Sequence, residues 1–143
     1  MSGVLWESEN GPACNDELNR VPEGRNMGWG RHQTCDPPPK APRNTNQDGP
    51  SPVLPKRWYT PTIAPTGVAF CDGCGLPNGA DRLYMADWNT GSIRRIRLDA
   101  ARKAVAEQQN VYTHDDGLIS IEVAPDGSLF VSDPDGIYQL APV

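Results

Sequence analysis

The sequence predicts an all-β chain, a partial β-propeller holding about two to two and a half blades. Three observations carry that expectation. First, the segment Leu83 to Leu98, LYMADWNTGSIRRIRL, is echoed by Leu129 to Leu140, LFVSDPDGIYQL. Each reads as an apolar strand, a turn holding Asp and Gly, and a second strand of alternating character. Second, Leu83 and Leu129 lie 46 residues apart, and strand-built repeats of about 40–50 residues are the period of propeller blades. Third, Leu5 to Gly11, LWESENG, is a partial further copy at the start. A propeller closes with about four to eight blades. The chain is therefore expected to be the C-terminal piece of something larger, or else to self-associate through bare blade faces.

Taken in order, Val4 to Ser8 reads as a short strand, and Glu9 to Asn19, ENGPACNDELN, as a polar loop with a Gly-Pro corner. Gly24 to Gly30, GRNMGWG, is turn-rich. Residues Gln33 to Arg57 contain seven prolines, including Pro37-Pro38-Pro39, a composition that favours extended, irregular backbone. Order resumes at Thr60, with a strand over Val68 to Phe70 and then the Cys71-Asp72-Gly73-Cys74 turn. Leu83 to Asp87 and Ser92 to Leu98 are strands joined by Trp88 to Gly91. Asp99 to Gln109 has helix-forming alanines, but it stands where a blade needs a hairpin. It reads as a turn leading to Ala104-Val105 and then Asn110 to Tyr112. Ile119 to Val123, Leu129 to Ser132 and Ile137 to Leu140 close the chain, with Asp-Gly turns that signal hairpins. The organisation expected is a blade end over 1–32, a Pro-rich irregular loop over 33–57, a blade over 58–112 and final blade hairpins over 113–143.

Composition excludes several function classes. The net charge is −5 with no long basic run, which argues against nucleic acid. Arg94, Arg95 and Arg97 are the densest basic group and read as a solvated strand face. No stretch approaches the ~18 apolar residues of a membrane span, and Met1 to Asn10 does not read as a secretory signal. Four cysteines are present. Two disulfides, Cys14–Cys35 and Cys71–Cys74, are the preferred arrangement, the first stapling a loop with little core of its own. A four-cysteine zinc site is the rival, although here one pair alone is closely spaced. No Gly-x-Ser-x-Gly, phosphate loop or Rossmann fingerprint occurs.

Four segments now point further, LWESENGPACNDELN from Leu5, GRNMGW from Gly24, IAPTG from Ile63 and APDG from Ala124, together with their order and spacing. On these the chain resembles the C-terminal part of the glucose/sorbosone dehydrogenase family, soluble quinoproteins with a six-bladed propeller. The resemblance runs from Leu5 to about Leu140, with Met27 standing where the family has Tyr. It implies oxidation of aldoses or related alcohols, with pyrroloquinoline quinone and calcium as cofactors and a sugar or small polyol as substrate. It also implies an extracellular or periplasmic setting, in keeping with the cysteines.

Carried over residue by residue, Asn10-Gly11-Pro12 matches the segment whose Gly and Pro carbonyls bind calcium and whose preceding side chain contacts the quinone region. Calcium favours such oxygen ligands; as a plain sequence, the same residues make a corner turn. Asp16 is a loop-stabilising carboxylate in the family pattern. As an acid–base pair Asp16-Glu17 fails, since neighbours on an extended segment point to opposite faces. The quinone is a tricarboxylate, which a Lys and two Arg neutralise in the family. The Lys position falls at Asn89 and the Arg positions at Gly117 and Ile119, none of them basic. The catalytic His of the family matches neither His32 nor His114, which read as surface residues, so no catalytic residue is assigned. Asp133-Pro134-Asp135-Gly136 imitates the start of a calcium loop but lacks its spacing and terminal Glu; it reads as a turn.

Two functions follow. One is a segment of an aldose-oxidising quinoprotein, inactive alone. The other is a non-catalytic propeller module that binds carbohydrate or a protein partner. The missing basic cluster favours the second and the calcium-loop match the first.

Overall fold

A computed structural model describes residues 3–11, 13–29 and 48–140. The architecture is all-β, with ten strands and no helix among the described residues. The chain divides into two compact units, Met1–Ala64 and Pro65–Val143.

The first unit is a three-stranded antiparallel sheet. Strand β1 (Leu5–Glu9) pairs with β2 (Asp16–Val21), and β2 pairs with β3 (Arg57–Tyr59). Two expectations are corrected here. The segment ENGPACNDELN is not all loop, because its last four residues open β2, and order resumes at Arg57 rather than Thr60. Polarity misled: Asp16, Glu17 and Asn19 are polar yet buried, each at 1 % exposure or less. Buried polar groups demand partners: Asp16 accepts from three backbone amides, and the Asn19 side-chain amide donates to Glu9 and Glu17. Cys14 is disulfide-bonded; Cys35, its expected partner, lies outside the described residues, as do His32, Pro12 and the loop over 33–47.

The second unit holds two sheets. The larger has the order β4-β5-β6-β7, all antiparallel: β4 (Pro65–Cys71), β5 (Arg82–Asp87), β6 (Ser92–Leu98) and β7 (Val105–Thr113). This is the four-stranded meander of a propeller blade. The smaller has β8 (Ser120–Val123), β9 (Leu129–Ser132) and β10 (Ile137–Leu140) in sequence order. The ambiguous stretch after Asp99 resolves into a tight turn and one continuous strand, β7. The Asp99 carboxylate accepts from the amides of Lys103 (2.6 Å) and Ala104 (3.3 Å), and this closes the hairpin locally.

Period-2 alternation decides which side chains meet. On one face Ala69, Cys71, Tyr84, Ala86 and Ile93 pack against Leu118 and against Ile121, Leu129 and Val131 of the smaller sheet. Fully burying each large aliphatic there contributes about 1.5–3 kcal/mol. The Cys71–Cys74 disulfide lies in this core, as expected; both sulfurs are bonded and are not zinc thiolates.

Candidate functional site

In the first unit the Asn10–Asn15 loop is organised by Asp16. One carboxylate oxygen accepts from the Gly11 amide at 2.7 Å, and the other from the amides of Ile63 and Ala64, both at 2.6 Å. Three charge-assisted bonds to one buried carboxylate tie the loop to the segment after β3. Thr60 adds a second tie: its hydroxyl donates to the Asn15 side chain at 2.5 Å and accepts from the Asn15 amide at 3.2 Å. A Cβ at position 11 would stand 2.0 Å from the Cys14 carbonyl oxygen, so this corner admits glycine alone. Asn10 is exposed beside it. The described part of this corner is a fixed, backbone-lined turn at Gly11, and among the described residues no group of three or more His, Cys, Asp or Glu is placed to hold a metal.

In the second unit the Trp88–Gly91 turn is held from below by Asp87, which is fully buried. Its carboxylate accepts from the Thr90 amide (2.8 Å) and hydroxyl (2.7 Å) and pairs with Arg94. The turn presses on the segment 114–118. The His114 amide donates to the Gly91 carbonyl at 2.8 Å and the Leu118 amide to the Asp87 carbonyl at 3.2 Å. A Cβ on Gly91 would fall 2.5 Å from the His114 carbonyl oxygen, and one on Gly117 would fall 2.6 Å from the Trp88 ring. Trp88 thus lies over Gly117 and still exposes 46 % of its surface, with Ile119 at 45 % nearby in sequence. Asn89 is exposed on the same turn.

Two of the three positions at which the resemblance places basic residues, Asn89 and Gly117, are therefore gathered around one indole. They do not fit a tricarboxylate. None carries positive charge, and no side chain can grow at Gly117 while Trp88 keeps its place. Asp115 and Asp116, exposed just before Gly117, add charge of the same sign as the quinone. Arg94 is turned to the opposite face from Arg95 and engaged by Asp87.

Sequence reasoning missed His114. It is not a free surface residue: its ring is 15 % exposed, with Nε2 2.7 Å from Asp133 and Nδ1 3.2 Å from the Tyr112 hydroxyl. The Tyr138 ring lies 4.9 Å away, tilted. Asp133 also accepts from the Asp135 and Gly136 amides at 2.8 and 2.7 Å, which makes the DPDG segment an Asx turn. Burial works to raise the Asp133 pKa. Hydrogen bonds from His114, the two amides and the Tyr138 hydroxyl outweigh it and lower the value from 3.8 to about 2. The same bond to Asp133, with burial, raises the Tyr138 phenol. No sequence signal linked these two positions, 19 residues apart.

The four-stranded meander and the two three-stranded sheets are the architecture of part of a β-propeller. The sequence model of the glucose/sorbosone dehydrogenase family matches residues 1–139, and the chain belongs to that family. A glucose dehydrogenase structure superposes with a TM-score of 0.73 at 26 % identity, covering 91 % of this chain and 37 % of that one. An oxidoreductase (glucose dehydrogenase) from Thermus thermophilus gives 0.67 at 26 %, covering 92 % and 35 %. The uncharacterized protein slr1608 of Synechocystis sp. is 27 % identical over 132 residues, 89 % of this chain and 31 % of that protein. The chain spans about a third of the length of these relatives. The PQQ-bound aldose sugar dehydrogenase from Streptomyces coelicolor, 22 % identical with a TM-score of 0.60, shares the fold. Among the described residues no helix is long and apolar enough to cross a membrane.

Proposed function

We propose that this chain is part of a sugar-dehydrogenase-type propeller that binds a neutral sugar or small polyol and does not hold the tricarboxylate quinone. One observation carries the reading: Trp88 lies over Gly117 where the family pattern calls for a basic side chain. An exposed indole flanked by an amide offers an apolar face for a sugar ring's C–H surface and a polar neighbour for its hydroxyls. A desolvated tricarboxylate without cationic partners is strongly disfavoured.

Gly11 and Pro12 are the proposed calcium carbonyls, with Asn10 and Asn89 as contacts to whatever occupies their neighbourhoods. Calcium bound there would supply positive charge to an oxygen ligand. The obligatory glycine at 11, held by Asp16, supports this assignment. The disulfide supports an oxidising compartment outside the cytoplasm.

Titrating the chain with quinone in the presence of calcium, with Trp emission as readout, tests the proposal. No saturable quenching is expected, and neutral aldoses should perturb Trp88 at millimolar levels. Micromolar quinone binding, or dye-linked aldose oxidation by the longer protein once loaded, would overturn the proposal in favour of the aldose-oxidising quinoprotein.

A further inference from the structure

The second unit carries a cleft that neither the family nor the Trp88 surface accounts for. Its volume is about 200 Å³, and it is lined by Asn78, Arg82, Arg95, Arg97, Glu107 and Gln109. The sheet register assembles it. Tyr84 pairs with Arg95, Arg95 with Gln109 and Arg97 with Glu107, so the period of two puts Arg82, Arg95 and Arg97 on one face. Each guanidinium is anchored by part of its fork. Arg95 donates to Gln109 (2.7 Å) and the Pro77 carbonyl (3.1 Å), Arg82 to the carbonyls of Ala80 and Asp81 (3.2 and 3.1 Å), and Arg97 to Glu107 (3.1 Å).

Three guanidiniums face a single carboxylate, in a chain whose net charge is −5. Like charges on neighbouring strands repel, and an anion held between them would relieve that repulsion. A planar carboxylate is satisfied by one guanidinium fork. Three forks from two strands, with two positive charges in excess, match a tetrahedral dianion. The Arg97–Glu107 pair is weak, with side chains 45 % and 48 % exposed, and yields its guanidinium readily.

We propose that this cleft binds a phosphate group, held by Arg82, Arg95 and Arg97, either as free phosphate or attached to a small molecule such as a sugar. Calorimetric titration of the chain with inorganic phosphate at low ionic strength, against chloride, is the test. One saturable site is expected. Arg82→Gln and Arg97→Gln should each weaken it about tenfold, and Glu107→Gln should tighten it by removing the competing carboxylate. A parallel titration with glucose 6-phosphate separates the sources: equal affinity marks free phosphate, and affinity about tenfold tighter marks a phosphorylated sugar. Heat no different from chloride, or binding indifferent to both arginine substitutions, overturns the assignment.

Discussion

Gly117 shows how one residue decides what a site can hold. Its missing side chain lets Trp88 settle on the backbone, and a Cβ there would stand 2.6 Å from the ring. Gly117→Ala should destabilise the second unit by about 1–3 kcal/mol, the range of an overpacked contact, and shift Trp emission as the indole is pushed into solvent. Unchanged emission and melting temperature would show that the stack does not hold Trp88. Asp133 makes a second residue-scale case. Its folded pKa is depressed from 3.8 to about 2, so its contribution is full above about pH 4 and is lost as pH falls through about 2. Acid unfolding should steepen across that window in the native chain and flatten there in Asp133→Asn; identical acid profiles would remove Asp133 as the cause. The sequence could place Asp133 in a turn, but not give it His114 as partner. That contact joins the residues just after β7 and β9, which only the sheet packing brings together.

Among the elements, the legible ones had one apolar face. Strands β6, β9 and β10 match the expected ranges residue for residue, because alternation and Asp-Gly turns fix both period and ends. Two strands escaped for opposite reasons. Strand β2 looked like a loop because its polar side chains are buried inside the protein, with Asp16 bonding the amides of Gly11, Ile63 and Ala64. Strand β7 looked ambiguous because it is an edge strand, exposed along most of its length and rich in Glu, Gln and Asn, where packing exerts no pattern. The β5–β6 hairpin carries its own prediction. Asp87 is fully buried and Arg94 nearly so. Removing one partner leaves a buried charge, which costs about 3–5 kcal/mol. Arg94→Met should therefore lower the denaturation midpoint sharply by urea titration, and a change within error would mean that solvent reaches Asp87.

For the whole molecule, the chain spans about a third of its relatives, and within the second unit β10 leaves Ile137 77 % and Tyr138 39 % exposed at a sheet edge. Open edges with apolar side chains recruit further strands. Sedimentation of the chain at rising concentration should show self-association, abolished by Ile137→Lys; a monomer at every concentration would sink this expectation. Residue type and local period were enough for the all-β repeat, the hairpin turns, the Gly-Pro corner at Gly11 and the uncharged residues at Asn89, Gly117 and Ile119. These properties are written along the chain. Tertiary structure alone decided that Trp88 covers Gly117, that His114 is locked to Asp133, and that three arginines share one cleft while Arg94 turns away. Each depends on which strands become neighbours and on which face a side chain emerges, and both are set by long-range packing.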